Sequence, residues 1–324
     1  MTTTAEGAAP QVDRLGLLSS MLRIRMVEER IAQIYPSDRI QSPVHLSIGQ
    51  EAAAVGLCAH LRATDLLFTT YRGHAHYLAK GGDLKAMIAE LYGRATGLAK
   101  GKAGSMHLAA PEVGMMGSSA IVASTIPHAV GAALKSRWPQ AGRLSDDITT
   151  CVFGDGATEE GVYHESLNFA AIHGLPVLFL CENNGLAIHA TLADRQAYDL
   201  VAHASVYGIE AHRLDKAFDP GAVYDQLGPI IAAMRADRRP RFVELPLFRA
   251  REHVGPGEDF HRGYRSRHEL AEWQLMDPLA ADDDGHAGIR AAIAAEIDAA
   301  VAFAETSPAP DPQEVFTDVD RCYG

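Results

Sequence analysis

The chain has 324 residues, of which 47% are hydrophobic, and its formal net charge is −12 at pH 7. A chain of this length can bury a large core in one or two α/β domains. Such an acidic chain is a poor candidate for binding nucleic acids or anionic membranes. No apolar run reaches the roughly 18 residues of a membrane span, so no transmembrane helix is expected.

The N-terminal residues 1–13 have neither the regions of a signal peptide nor the arginine content of a transit peptide, and we predict a disordered arm. The four cysteines form no CxxC pair, so neither a zinc site nor a disulfide framework is indicated. They are Cys58, Cys151, Cys181 and Cys322. Cys151 and Cys181 lie in apolar strand-like runs, which favours buried free thiols and a cytoplasmic, reducing location.

Residues 14–307 are predicted to form one unit, followed by a Pro-rich tail at 308–324. Helices are predicted at 15–34, 50–61, 84–92, 121–135, 160–173, 224–236 and 289–304, and strands at 66–69, 149–153, 177–181 and 242–247. Continuous apolar strands that alternate with helices predict an α/β fold with a central parallel sheet covered by helices on both faces. On the helix at 160–173, Val162, Phe169 and Ile172 share about one face.

Two stretches are predicted to be long loops, at residues 93–119 and 248–265. A loop of such length in a compact domain is more often functional than idle. Ligands on parallel sheets bind at the carboxyl ends of the strands. The loops that follow Phe153, Cys181 and Leu247 are therefore expected to lie near one another.

The motif Gly154-Asp155-Gly156 comes directly after a buried strand and just before a helix. Its glycines allow close backbone approach, and the helix N-terminus favours anionic groups. An acidic residue there would repel a phosphate unless a cation lay between them, and Mg²⁺ is shared in this way between protein and phosphate oxygens. Asp155 is therefore a candidate metal ligand. The next loop offers the amide oxygen of Asn184 and the backbone carbonyl of Leu186.

A GDG motif alone is often only a turn, but the order strand, GDG, helix, strand and Asn183-Asn184 is far more specific. The segment GDGATEEGVYHESLNFAAIHGLPVLFLCENN resembles the thiamine diphosphate signature. More closely, the chain resembles the α subunit of the first component of 2-oxo acid dehydrogenase complexes, from about residue 15 to its tail. Other matching segments are HLSIGQEAAAVGL (45–57), YRGHAHYLAKG (71–81), AELYGRATGLAKGKAGSMH (89–107), AIVASTIPHAVG (120–131) and YRSRHEL (264–270).

This resemblance implies the diphosphate-binding half of a thiamine diphosphate-binding fold, with the cofactor held through Mg²⁺. The implied metal ligands are Asp155, Asn184 and the carbonyl of Leu186. The implied contacts of the diphosphate and the aminopyrimidine ring are Tyr71, Arg72, Ala120, Val122, Gly156 and Ala157. A guanidinium suits this role because it binds phosphate in a bidentate way. Without the resemblance, Tyr71 and Arg72 would be interpreted as a surface pair.

Three histidines match family residues near the cofactor. His253 corresponds to a histidine on a mobile loop that contacts diphosphate and substrate. His45 and His74 match histidines on the reaction side, where an imidazole could bind the substrate carboxylate or transfer protons. The alternative for His45 and His74 is a satisfied structural histidine. In the loop after His253, Glu258 and Asp259 are expected to tune the substrate or to order the loop.

The resemblance also implies a partner, because in the family the glutamate that activates the cofactor comes from a separate β chain. Nothing in this sequence resembles the pyrimidine-binding half that the β chain supplies. The implied assembly contains two α and two β chains. The implied reaction decarboxylates a pyruvate-like 2-oxo acid and passes the acyl group to the lipoamide of an acyltransferase.

Two alternatives remain open at this point. Ser118 and Ser119 stand where many relatives have a Gly-Gly-Asn-Gly run, which leaves room for an acetoin dehydrogenase or a transketolase-like two-carbon transferase with the same cofactor. An alternative of a different class is a non-catalytic regulator that binds a nucleotide or phosphate on the same sheet. Such a regulator would bind its ligand without any turnover that depends on a partner.

Overall fold

The computed structural model describes residues 13–136, 145–280 and 286–317. The arm predicted at 1–13 lies outside this part of the chain except for its last residue, and so do Cys322 and the end of the predicted tail. No helix among the described residues has the length and apolar character that crossing a membrane requires.

A parallel sheet forms the centre of the fold. The helices are α1 (Arg14–Ile34), α2 (Glu51–Cys58), α3 (His74–Ala79), α4 (Leu84–Leu91), α5 (Thr125–Lys135), α6 (Gly161–His173), α7 (Leu192–Arg195), α8 (Leu200–Val206), α9 (Pro220–Asp237), α10 (Arg267–Met276) and α11 (Ala287–Thr306). The strands are β1 (Leu66–Thr70), β2 (Met115–Ser119), β3 (Thr149–Gly154), β4 (Val177–Asn183), β5 (Leu186–Ala187), β6 (Ala190–Thr191), β7 (Glu210–Arg213) and β8 (Arg241–Pro246). The sheet has the order β2-β1-β3-β4-β8-β7, and all its neighbouring strands are parallel. β5 and β6 form a separate antiparallel hairpin.

The central strands β3 and β4 divide their buried side chains between the two faces of the sheet. Cys151 and Phe153 pack in the cluster that includes residues of α5 and α6. Val152 and Leu178 pack in a second cluster with residues of α2 and α9. The prediction of a parallel sheet covered on both faces is therefore confirmed, and so is the prediction that Cys151 and Cys181 are buried free thiols.

The apolar face that the sequence indicates on α6 is mostly turned away from the core, and of its three residues only Val162 packs against the core cluster. Phe169 and Ile172 are exposed, whereas Tyr163 and Leu167 on the opposite side are fully buried. The helix packs against the sheet through this second, mixed face, which includes the buried Ser166. The spacing of apolar residues indicates that a helix has an apolar face, but it does not indicate whether that face packs against the core.

Residues 93–119 do not form one unbroken loop, so this prediction is wrong in its last part. Met115–Ser119 forms β2, which pairs with β1 at the edge of the sheet. Its sequence, MMGSS, has little strand propensity, and the backbone hydrogen bonds to β1 determine its conformation. The helix predicted from 121 begins only at Thr125, because Ala123 has a φ of 63° in the turn before it.

Some elements were not predicted from the sequence at all. They are α3, α7, α8, α10, β5, β6 and β7, which are short or carry a mixed pattern of polar and apolar residues. The helix predicted from 224 begins earlier, because α9 starts at Pro220 and the Asp219 side chain accepts hydrogen bonds from the backbone N–H groups of Gly221 (2.8 Å) and Ala222 (3.1 Å). An aspartate N-cap followed by proline is a typical helix start.

A buried carboxylate organises the first part of the 93–119 segment. Glu90 Oε2 accepts hydrogen bonds from the backbone N–H groups of Ala99 (2.8 Å) and Gly101 (2.9 Å). Glu90 Oε1 accepts from those of Ala103 (2.7 Å) and Gly104 (3.0 Å). One side chain thus satisfies four backbone donors that no helix or strand uses, and it fixes the path of this loop.

Replacement of Glu90 with glutamine is expected to lower the free energy of unfolding by about 2 kcal/mol. The amide keeps one acceptor oxygen but directs an NH₂ group at two of the backbone donors, which leaves them unsatisfied. Denaturant unfolding measures the change. The matched control is Glu112→Gln, an exposed glutamate of the same segment. Equal stability of the two variants would contradict the role given to Glu90.

Residues 308–317, which the sequence assigns to a tail, lie against the same loop. The backbone N–H of Ala95 donates to the carbonyl of Pro308 (3.0 Å), and Lys100 forms an ion pair with Glu314 (2.7 Å). The hydroxyl of Thr96 donates to that of Ser307 (2.7 Å). Contacts with the rest of the chain therefore continue past residue 307.

Candidate active site

One cavity of about 290 Å³ opens at the carboxyl ends of β1, β3 and β4. Most of the residues expected at the site line it. They are Tyr71, Arg72, Val122, Asp155, Gly156, Ala157, Asn184, Leu186 and His253. Ala120 does not line the cavity, although its neighbours Ser119 and Ile121 do. Chain segments far apart in sequence thus meet at the edge of the sheet where a parallel sheet binds its ligands.

Asp155 follows β3 directly and is buried. Its carboxylate forms an ion pair with the guanidinium of Arg195, which also pairs with Glu159. Burial raises the pKa of Asp155, and the hydrogen bond from Arg195 counteracts only part of that effect. Sequence reasoning missed Arg195, because nothing in the local pattern of α7 links it to a carboxylate 40 residues earlier.

Gly156 lies against the β5–β6 hairpin. A Cβ atom built at this position would lie 2.9 Å from the Cβ of Ala187, closer than side chains normally approach. Only glycine therefore leaves the present distance between the GDG turn and the hairpin unchanged. The hairpin also carries Leu186 and Ile188, both of which line the cavity. Gly156 thus brings the metal-ligand candidates of two loops together.

The two asparagines after β4 have different surroundings. Asn183 Nδ2 donates to Glu244 Oε1 (2.8 Å), which anchors it to β8 and directs it away from the cavity lining. Asn184 lines the cavity; its Nδ2 donates to Gln50 Oε1 (2.9 Å), and its Oδ1 accepts from the backbone N–H of Leu186 (3.1 Å). Gln50 was not singled out from the sequence, although it belongs to the segment HLSIGQEAAAVGL.

Arg72 brings a positive charge to the cavity. Its Nη1 donates to the carbonyl of Leu46 (2.5 Å) and its Nη2 to that of His253 (3.3 Å). Within the described ranges, no carboxylate lies at ion-pair distance from this guanidinium. Burial lowers the pKa of Arg72 to about 10, so the side chain is still a cation at neutral pH. A buried cation without a carboxylate partner is suited to an anionic ligand.

A second buried arginine of the cavity, Arg249, was also missed from the sequence. It pairs with Asp259 (3.1 Å) and donates to the carbonyl of Ile188 (3.0 Å). Asp259 also pairs with Arg265, which lies in the segment YRSRHEL. Asp259 therefore orders the 248–265 loop, one of the two roles expected for it. The exposed Glu258 pairs only with Arg267 among the residues that the structure describes.

His45 packs in an aromatic cluster with Tyr71 and His253, which line the cavity, whereas His45 itself does not line it. The ring centroids lie 4.4 Å apart for His45 and Tyr71, and 5.1 Å apart for His45 and His253. Burial, together with the positive charge of Arg72, lowers the pKa of His45 to about 3 and that of His253 to about 4. Both imidazoles are neutral at pH 7 without a ligand. His45 Nδ1 is buried and has no hydrogen-bond partner among the described residues.

His74 does not line the cavity. Its Nδ1 is hydrogen-bonded to Glu28 (2.9 Å) and its Nε2 to the hydroxyl of Ser105 (2.7 Å), and all three side chains are fully buried. The ring therefore has no free nitrogen for a substrate. This geometry does not support the expected role on the reaction side and fits the alternative, a satisfied structural histidine.

The candidate metal ligands have the chemistry that Mg²⁺ prefers. Asp155, Asn184 and Leu186 offer a carboxylate, an amide and a carbonyl oxygen around the same cavity. Among the described residues, no three His, Cys, Asp or Glu side chains are grouped to hold a metal, so a soft transition-metal centre is not indicated. Together with the buried cation of Arg72, the oxygen ligands fit a magnesium-bound diphosphate.

The parallel sheet and this edge site define an α/β protein with its ligand site at the carboxyl ends of the strands. Comparisons with known proteins identify the family. The family model described as Dehydrogenase E1 component matches residues 19–313. The chain therefore belongs to the dehydrogenase E1 component family.

Several curated relatives match nearly the whole chain. The α subunit of acetoin:2,6-dichlorophenolindophenol oxidoreductase from Bacillus subtilis is 36% identical over 320 residues, which cover 95% of this chain and 94% of that protein. The α subunit of the pyruvate dehydrogenase E1 component from Rhizobium meliloti is 32% identical over 95% of this chain and 90% of its own length. The corresponding protein of Zymomonas mobilis is 35% identical, with 96% and 89% covered.

Proposed function

We propose that this chain is the α subunit of a thiamine diphosphate-dependent 2-oxo acid dehydrogenase, which decarboxylates a pyruvate-like substrate together with a β subunit. The observation that carries the proposal is the meeting of Asp155, Asn184, Leu186 and the buried cation of Arg72 around one cavity. This arrangement matches a diphosphate that is bound through Mg²⁺. The family membership, which rests on most of the chain, supports the same cofactor.

In this proposal, the oxygens of Asp155, Asn184 and Leu186 hold Mg²⁺, and Arg72 and Tyr71 contact the diphosphate. The turn at Gly156 and Ala157 lies against the same group, and Ala120 and Val122 approach the aminopyrimidine ring. When bound, thiamine diphosphate supplies a nucleophilic carbon and an electron sink for decarboxylation.

His45 and His253 are the candidates for proton transfer. As neutral imidazoles they can donate at one ring nitrogen and accept at the other. An anionic ligand near Arg72 would offset the positive charge that depresses the pKa of both histidines, and their basicity would rise when the cofactor binds. His74 has a structural role in this proposal, because its ring is hydrogen-bonded to Glu28 and Ser105.

The β subunit completes the cavity in this proposal. Ile121, Val122 and Ile188 line the cavity, yet they are 71%, 47% and 52% exposed. Apolar side chains grouped at a cavity mouth are typical of a surface that a protein partner covers. We propose an assembly of two α and two β chains that delivers its acyl group to a lipoyl acyltransferase. The buried free thiols of Cys58, Cys151 and Cys181 support a reducing, cytoplasmic location.

Turnover of the chain co-purified with its β subunit tests the proposal. The assay contains thiamine diphosphate, Mg²⁺ and an artificial electron acceptor, with pyruvate, branched 2-oxo acids, acetoin and ketose phosphates as separate substrates. Carbon dioxide release with acceptor reduction supports a 2-oxo acid dehydrogenase and names its substrate. Binding of the cofactor without turnover of any substrate would support the regulator alternative.

A second candidate function keeps the cofactor and changes the substrate. The B. subtilis relative is named as an acetoin oxidoreductase subunit, and Ser119, which the sequence analysis singled out as a departure from the family pattern, lines the cavity. Turnover of acetoin without any reaction of 2-oxo acids would favour this candidate. Reaction of a ketose phosphate alone would favour a two-carbon transferase.

Replacement of Arg72 with lysine is expected to weaken thiamine diphosphate binding about 10- to 100-fold, which is the loss of one charge-assisted hydrogen bond. Lysine keeps the positive charge but not the planar fork that grips two phosphate oxygens. Calorimetric titration of the complex measures the change. Inorganic pyrophosphate is expected to lose affinity by a similar factor, because it probes the same contact. The matched control is Arg39→Lys, an exposed arginine; equal affinity in both variants would contradict the role of Arg72.

A further inference from the structure

Asn184 presents two chemically different ends to its surroundings. Its side-chain oxygen can bind a cation, whereas its NH₂ group carries only donors and would repel one. The two ends have the same shape, so packing cannot select between them, and only hydrogen-bond partners can. Whether Asn184 serves as a metal ligand therefore depends on what holds its amide in place.

Gln50 holds the NH₂ end. Asn184 Nδ2 donates to Gln50 Oε1 at 2.9 Å, and Gln50 itself is oriented because its Nε2 donates to Glu182 Oε2 at 3.4 Å. A flipped Gln50 would place an NH₂ group against that of Asn184 and lose the hydrogen bond between the two side chains.

The backbone of Gln50 is also held by a hydrogen bond. Gln50 is buried, immediately precedes α2, and its N–H donates to the carbonyl of Ser47 (2.8 Å). At the other end of the amide, Asn184 Oδ1 accepts one hydrogen bond, from the N–H of Leu186 (3.1 Å). An amide oxygen has two lone pairs, so one is left for a cation.

We propose that Gln50 is a positioning residue that keeps the oxygen of the Asn184 amide directed at the metal ion. This inference rests on the proposed function, since it assumes that Asn184 binds a metal with the cofactor. Gln50 touches neither the metal nor the reacting atoms in this role. It acts through Asn184, as partners behind metal ligands generally do.

A double-mutant cycle with Mn²⁺ as the probe tests the proposal. The chain is co-purified with its β subunit, and Mn²⁺ binding is measured by electron paramagnetic resonance in the presence of thiamine diphosphate. Gln50→Met has a similar length and no hydrogen-bonding atoms, and it is expected to weaken Mn²⁺ binding about 10- to 100-fold. In an Asn184→Asp background, both ends of residue 184 are oxygens, so orientation no longer matters. There, Gln50→Met is expected to change Mn²⁺ affinity by less than about threefold.

An equal loss in both backgrounds would show a merely structural role and overturn the proposal, as would unchanged affinity in Gln50→Met alone. If Gln50→Met does not fold, as judged by circular dichroism, Gln50→Ala takes its place in the same cycle because it adds no bulk. A wild-type complex that binds no Mn²⁺ with thiamine diphosphate would overturn the metal site itself, and the role of Gln50 with it. The failure of the positioning role and the failure of the proposed function are thus distinguishable.

Discussion

Replacement of Asp155 with alanine is expected to abolish magnesium-dependent binding of thiamine diphosphate. Substitution of a residue that only supports a metal ligand typically lowers the affinity for the metal about 10- to 100-fold. The loss of affinity in Asp155→Ala should be larger, because a ligand itself is removed. Asp155 is the charged member of the candidate ligand set, and without it the diphosphate would face the cavity with neutral oxygens only. The chain is expected to fold, since Arg195 retains its ion pair with Glu159.

Calorimetric titration of the αβ complex with cofactor at fixed Mg²⁺ measures this effect. A chelator added to the wild-type complex should reproduce it, because either change removes the ion. The control is Asp194→Ala, an exposed aspartate in the neighbouring α7 that bonds only to Thr191 (2.6 Å) among the described residues. Unchanged cofactor binding in the Asp155 variant would remove this residue from the site.

Replacement of Asp259 with asparagine is expected to lower the free energy of unfolding by about 3–5 kcal/mol. The carboxylate lies between the buried guanidiniums of Arg249 (3.1 Å) and Arg265, and asparagine leaves both charges without a counter-ion among the described residues. Arg265 also donates to the carbonyl of Arg251, two residues before His253. Activity should therefore fall with stability, since the position of His253 depends on this cluster.

The pH dependence of stability provides a second measurement on Asp259. Burial by itself would raise its pKa, but hydrogen bonds from Tyr264 and Arg265 outweigh burial and hold the pKa below its ordinary value. A carboxyl group with a depressed pKa stabilises the fold above its unfolded pKa, and this contribution is lost as the pH falls through the folded pKa. The wild type should therefore lose stability in acid, whereas Asp259→Asn should vary less.

Denaturant unfolding at several pH values between neutral and acidic measures the free energy of unfolding of the wild type and of Asp259→Asn and compares how each depends on pH. The control is Glu258→Gln, whose exposed pair with Arg267 should contribute less than about 1 kcal/mol. If Asp259→Asn is as stable as the control at neutral pH, the cluster does not hold the loop. Parallel pH profiles for the wild type and Asp259→Asn would contradict the depressed pKa.

The sequence by itself determined the layers of the fold and two of the candidate ligands. The strands around Cys151 and Phe179 are buried on both faces, so their unbroken apolar runs were visible without coordinates. Asp155 and Asn184 stand directly after such strands, where chain order alone places them at one edge of the sheet. Both signals come from residues that are close together in the sequence, so they could be recognised without coordinates.

Only the tertiary structure decided which residues support those ligands and which of the three candidate histidines lines the cavity, namely His253. Gln50 meets Asn184 across 134 positions, and Arg195 meets Asp155 across 40. In the sequence, His74 and His45 were equally good candidates for the reaction side of the site, but the fold buries His74 between Glu28 and Ser105. Hydrogen-bond partners of this kind depend on how helices and loops pack over the sheet, and a local pattern of apolar and polar residues carries no information about such distant contacts.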